Sequence, residues 1–180
     1  METPREVLAE RFLGPAAPHR PQRGAAFRGI KGALRRLVKF WDTSAIVPLY
    51  VHEPNTSVVR ELLATDSSII VWWGTHTECI SALMRQVRTG GITSPEERAC
   101  RHVLHTLAQS WSEIQPSDAL RSMAERLLAV HPLRSADALQ LAAALQWCQG
   151  HTTDQCLVTF DQRMREAAYR EGFTVLPDAG

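Results

Sequence analysis

The chain has 180 residues, 44% of them apolar, and a formal net charge of +1, which suits one globular domain with a proper core rather than two. No apolar run approaches the length needed to cross a bilayer, and the N-terminus lacks the uninterrupted apolar stretch of a secretory signal; a soluble, cytoplasmic protein is therefore expected. Cys79, Cys100, Cys148 and Cys156 form no C-x-x-C pair, which speaks against a zinc or disulfide framework and for reduced thiols used as small apolar residues.

The small total charge hides an asymmetry. Residues 1–37 carry eight Lys or Arg against three acids, whereas residues 38–180 carry twelve against sixteen. Residues 14–29 are rich in Pro, Gly and Arg and show no periodicity. Residues 1–37 are therefore expected to form a basic, disordered extension, and the folded domain to span 38–180. The extension reads either as an arm for RNA or an acidic partner, or as a dispensable addition ahead of a domain that starts at Val38.

From Val38 onward, short apolar runs alternate with helical stretches. Residues 38–41 read as a strand ending at Asp42. Two helical pieces follow, 44–51 and 56–64, separated at Pro54, which cannot continue a helix. Residues 69–73 are apolar without alternation, as in a strand covered on both faces. Thr75 opens a helix to Arg88, stopped by Gly90 and Gly91. The next runs from Thr93 or Ser94 to Ser110, with Pro95 suited to its first turn and Glu96 and Glu97 favourable to its dipole. Residues 111–115 form a weaker strand candidate, and Ser117 caps a helix reaching Val130.

Residues 135–149 give the strongest helical segment, with Ala138, Leu141, Ala142, Leu145 and Cys148 on an apolar face. A strand at 156–160, a helix at 161–171 and a strand at 173–176 complete the chain. The alternation predicts a three-layer α/β/α fold around a mainly parallel sheet with right-handed crossovers. Trp41, Trp72 and Trp73 lie in strand runs and are expected in the core; Trp111 and Trp147 end helices and are the candidates for exposure and for stacking on nucleic-acid bases. Arg85, Arg88, Arg98 and Arg101 suit either a basic rim or a solvated helical face.

Four acids stand where strands end and helices begin: Asp42, Glu78, Asp137 and Asp161. In a parallel sheet such positions share the carboxyl edge, where ligands bind at the topological switch. Each alone has an ordinary explanation. Asp42 and Asp161 suit N-caps, Glu78 suits a capping box with Thr75, and Asp137 complements a helix dipole. Together they would repel one another and lose solvation unless a hard divalent cation lay among them, and oxygen ligands favour Mg2+ or Mn2+ over zinc.

The runs Asp42-Thr43-Ser44-Ala45, Arg134-Ser135-Ala136-Asp137-Ala138-Leu139-Gln140 and Leu157-Val158-Thr159-Phe160-Asp161-Gln162, with Glu78 early in the third helix, resemble the PIN-domain nucleases, especially the VapC toxins of type II toxin–antitoxin systems. The resemblance covers residues 38–176, and nothing in 1–37 shares in it. It implies a Mg2+-dependent endoribonuclease toxin, with Mn2+ as an alternative ion, that hydrolyses RNA to 5′-phosphate and 3′-hydroxyl ends. It further implies that Asp42, Glu78, Asp137 and Asp161 are the catalytic metal ligands and that Ser44 and Thr159 support them by hydrogen bonding. Arg134 matches a basic position beside the third acid, suited to a phosphate or a carboxylate.

The implied partners are the RNA substrate, a VapB-like antitoxin and a second copy in a homodimer. The two short helices after Asp42 carry Ile46, Val47, Leu49, Tyr50, Val58, Val59, Leu62 and Leu63, apolar surface suited to such a partner. An RNA-processing PIN nuclease that is not a toxin, and a noncatalytic PIN-like binding module, stay open as alternatives. A haloacid-dehalogenase-like phosphatase would want a second Asp two residues after Asp42, where Ser44 stands.

Overall fold

The computed structural model describes residues 38–65 and 68–178. The extension expected at 1–37 lies outside the described residues. Among those described, five strands and seven helices follow in the order β1 (Lys39–Trp41), α1 (Thr43–Tyr50), α2 (Thr56–Thr65), β2 (Ile69–Trp72), α3 (Thr75–Arg88), α4 (Ser94–Ala108), β3 (Ser112–Ile114), α5 (Asp118–Val130), α6 (Ser135–Trp147), β4 (Cys156–Val158), α7 (Gln162–Arg170) and β5 (Thr174–Leu176).

The sheet is wholly parallel, in the order β3-β2-β1-β4-β5. The chain steps outward from β1 to β2 and β3, then returns to the other side of β1 for β4 and β5, so its direction reverses between β1 and β4. That crevice is where a ligand is accommodated in an open α/β sheet. Pairing of Trp41 with Val158 brings the two strands to an end at the same level.

Alternate strand residues face opposite layers. Trp41 and Val158 pack with α1 to α4, around Val59, Leu83, Leu104 and Leu107. Phe40 and Leu157 pack with α5 to α7, around Leu120, Leu127, Leu141 and Met164. The expected α/β/α sandwich is thus present, with a core on each side of the sheet. Its helix starts are built as the sequence suggests: Ser117 accepts from the Leu120 amide at 3.1 Å, and Thr93 and Glu96 close a capping box on α4. The four cysteines are free, and among the described residues no helix is long and apolar enough to cross a membrane.

Three expectations are corrected. Trp73 lies one residue beyond β2 and is 52% exposed, while Trp111 is buried. The chain turns toward α3 after Trp72, which takes Trp73 off the covered sheet; Trp111 enters the α1–α4 core and satisfies its indole N–H on Glu113 at 3.0 Å. Helix α6 has no single apolar face, because Ala138 and every residue from Gln140 to Leu145 are buried between the sheet, α5 and α7. Finally, α1 is buried from Ala45 to Tyr50 by packing on α2, α3 and α4. Most of the apolar surface expected to await a partner on these two helices is consumed inside the domain, while Val58 and Leu62 on α2 stay half-buried.

Candidate active site

Asp42 is set in the crevice by its own backbone. Its N–H donates to the Val158 carbonyl at 3.0 Å, which carries the β1–β4 pairing one step past the last paired residue. Its side chain caps α1, with Oδ2 accepting from the Ser44 amide at 3.1 Å. The same oxygen takes hydrogen bonds from the Ser44 hydroxyl and from the Thr159 hydroxyl at 2.9 Å. Ser44 Oγ also accepts from the Phe160 amide at 2.9 Å, and Thr159 Oγ1 from the Asp161 amide at 3.1 Å. Both expected supporting residues therefore touch the first acid and tie the ends of β1 and β4 together.

Glu78 does not close a capping box. The N-cap of α3 is Gly74, which has no side chain to offer, and among the described residues the buried Thr75 hydroxyl has no partner. The Glu78 carboxylate crosses to two other elements instead. Its Oε2 accepts from the Thr43 hydroxyl at 2.7 Å and from Gln140 Nε2 at 2.8 Å.

Asp137 and Asp161 keep their helix-end roles while facing the same edge. Asp137 Oδ2 accepts from the Arg134 amide at 3.1 Å, and Asp161 Oδ1 accepts from the Met164 amide at 3.0 Å. Arg134 itself is exposed. Among the described residues, no ion pair reaches any of the four acids.

That absence shapes the electrostatics. Burial pushes the Asp42 carboxyl above the usual carboxylate range; hydrogen bonds from Ser44 and Thr159 oppose the rise, and the negative charge of Asp137 adds to it. Burial likewise raises Glu78, opposed by Thr43 and Gln140 and reinforced by the charges of Asp42 and Asp137. Three acids thus feel one another without a protein cation between them, the arrangement in which a bound cation has most to relieve.

Two of the acids, Glu78 and Asp161, line a groove of about 570 Å³ together with Thr43, Ser44, Glu53, Asn55, Arg85 and Gln86, whereas Asp42 and Asp137 are not among its lining residues. Of the four candidate rim arginines only Arg85 lines it; Arg101 pairs with Glu97 at 2.6 Å. Among the described residues, no three His, Cys, Asp or Glu side chains are already converged as a metal shell. The donor chemistry nevertheless fits a hard ion. Their hydrogen bonds engage one oxygen of each acid, so among the described residues a second oxygen of each stays available.

Residues 39–169 match the family model of the PIN domain. The chain belongs to the PIN-domain family. This PIN chain is also 34% identical over 142 residues to Ribonuclease VapC47 of Mycobacterium tuberculosis (strain CDC 1551 / Oshkosh), a span covering 78% of this chain and 97% of that relative. It is thus a VapC-like PIN nuclease, in agreement with the family, fold class and enzyme class expected from sequence. Two residues that meet Glu78 were absent from that expectation, Thr43 and Gln140. The available signal for Gln140 was its position three residues after Asp137, which puts both on one helix face.

Proposed function

We propose that this protein is the endoribonuclease toxin of a toxin–antitoxin pair, and that it hydrolyses RNA phosphodiesters to 5′-phosphate and 3′-hydroxyl ends. Asp42, Glu78, Asp137 and Asp161 would hold Mg2+, with Mn2+ able to take its place. The observation that carries this is the buried Asp42 and the half-buried Glu78 at the sheet's topological switch, with further acids and, among the described residues, no ion pair beside them. When bound, a divalent ion supplies an acidified water and neutralises charge on the scissile phosphate.

The chain's own part is placement. Ser44 and Thr159 hold Asp42 by Oδ2, and the amides at the starts of α6 and α7 hold Asp137 and Asp161. Arg85, at the groove wall, receives an RNA phosphate, and Arg134 is free to do the same from the exposed start of α6. A VapB-like antitoxin, a homodimer and a cytoplasmic location follow from the same family reading. The nuclease unit begins at Val38, and residues 1–37 are a basic extension to it.

Induced expression with and without the adjacent reading frame tests the proposal, scored for growth arrest and for mapped RNA ends. Arrest relieved by the neighbour, with new 5′-phosphate ends, is expected. No arrest and no new ends would overturn the toxin assignment.

A further inference from the structure

Gln140 is the polar member of the buried set on α6, whose other buried residues are Ala or Leu, and it is 2% exposed. Burying a primary amide is unfavourable unless its hydrogen-bonding groups are met. Here they are met on one side only. Nε2 donates to Glu78 Oε2 and to Thr43 Oγ1, each at 2.8 Å, and the Thr43 hydroxyl donates to the same Glu78 oxygen at 2.7 Å. Among the described residues, Gln140 Oε1 has no partner. For the fold alone a Leu would serve better at this position, since it fills similar volume and leaves no orphan acceptor.

The direction of the bonds matters as much as their number. Reversing the amide would set Oε1 against the Glu78 carboxylate, acceptor against acceptor, so the donor orientation is the one compatible with a charged Glu78. The two donors also come from the elements that carry the other acids. Thr43 follows Asp42 directly, and Gln140 shares a helix face with Asp137. Glu78 is thereby tied at one oxygen to both.

We infer that Gln140 and Thr43 are positioning residues that clamp Glu78 by Oε2 and so hold its Oε1 ready for a divalent ion beside Asp42 and Asp137. The inference rests on the proposed role of these acids as metal ligands. It assigns α6 two contributions to the site, an acid and the side chain that orients a second acid on another helix. Outer contacts of this kind set ligand geometry and metal affinity.

The test is Mn2+ binding to the full chain, followed by electron paramagnetic resonance, together with thermal unfolding in EDTA. Gln140→Leu and Thr43→Val should each weaken Mn2+ binding by roughly 10–100-fold, while Gln140→Leu unfolds at or above the wild-type temperature. Thr43→Ser, which keeps the hydroxyl, should restore binding. Wild-type affinity in both Gln140→Leu and Thr43→Val overturns the clamp. So does equal loss in Thr43→Val and Thr43→Ser, which would mean a packing role; this pair decides the matter alone if Gln140→Leu does not fold. Glu78→Gln separates the two levels: wild-type Mn2+ binding in that variant overturns the metal site itself, whereas lost binding there with intact binding in the clamp variants overturns the clamp only.

Discussion

Glu78 and Glu171 are both glutamates drawn partly out of water, and their surroundings pull them in opposite directions. At Glu171, just past α7, burial acts to raise the carboxyl. Hydrogen bonds and charge from Arg126 and His131 outweigh it and hold the group below the usual range. Arg126 reaches the two carboxylate oxygens at 3.3 and 2.9 Å, and His131 Nε2 lies 2.7 Å from one of them. Glu78 has only neutral donors and other acids beside it and is pushed up. Where the fold uses a carboxylate to join α5 to α7, it provides Arg126 and His131 as partners; in the crevice the compensating charge has to arrive from outside.

The sharpest way to break this contrast is to neutralise one acid in each region. Asp42→Asn should abolish RNA cleavage, yet in EDTA its thermal midpoint should equal or exceed the wild-type value, because a buried charge without a counter-ion has gone. A variant that lost cleavage and stability together would show Asp42 to be structural. Glu171→Gln should do the reverse. It should cost about 1–2 kcal/mol, mostly through the buried His131 contact since Arg126 is half exposed. That corresponds to a midpoint lower by roughly 2–8 °C, with kcat/KM for RNA unchanged.

A pH series sharpens the same comparison through its sign. With Asp42 and Glu78 raised in the folded protein, the metal-free fold keeps protons that the unfolded chain releases. Their contribution is present at low pH and is lost as pH climbs from the ordinary carboxylate values through the raised folded ones. Glu171, lowered by its partners, contributes above its ordinary value and loses that contribution as pH falls through its folded one. Chemical denaturation in EDTA between about pH 4 and 7 should therefore show a downward component with rising pH that disappears in Asp42→Asn/Glu78→Gln. Saturating Mg2+ should offset it, since only ionised carboxylates bind the ion. A downward component unchanged in the double variant would detach it from these two acids.

A smaller effect is expected at Arg85, the cation lining the groove. If it serves RNA rather than the acids, Arg85→Ala should raise KM several-fold, leave kcat unchanged and lower the slope of log affinity against log salt by about 0.7. Unchanged salt dependence would remove it from the RNA path. Smallest of all, a chain lacking residues 1–37 should fold and cleave like the full one, because among the described residues both apolar cores and all four acids are built from the chain after Val38; loss of either property would redraw the domain boundary.

Much of this was legible in the sequence because strand ends and helix starts carry strong local signals. The unbroken apolar run after Ser68, the Pro95 helix start and the Ser117 cap located elements without tertiary information. Asp42, Asp137 and Asp161 were legible for the same reason, as each performs the cap or dipole task that its neighbours imply. Glu78 was ambiguous because a capping box and a cross-domain contact have the same local spelling. Only the path of its side chain toward Thr43 and Gln140 separates them. Gln140 itself was hidden because its partners lie 97 and 62 residues away, beyond any periodicity. Trp73 and Trp111 were misassigned because one residue at a strand's end decides which ring stays under cover.

The burial of α6 from Gln140 to Leu145 carries a consequence for how the protein ages and is removed. Gln140 lies in the buried middle of the helix and comes free only when the central core opens, whereas Asp137 stands in a first turn whose Ser135 and Ala136 are exposed and can be loosened by fraying there. A single molecule can then lose its grip on Asp137 at the helix start while Gln140 and its clamp on Glu78 stay in place. A protease reaches the buried middle of α6 only when the central core opens, and then meets an inactive chain.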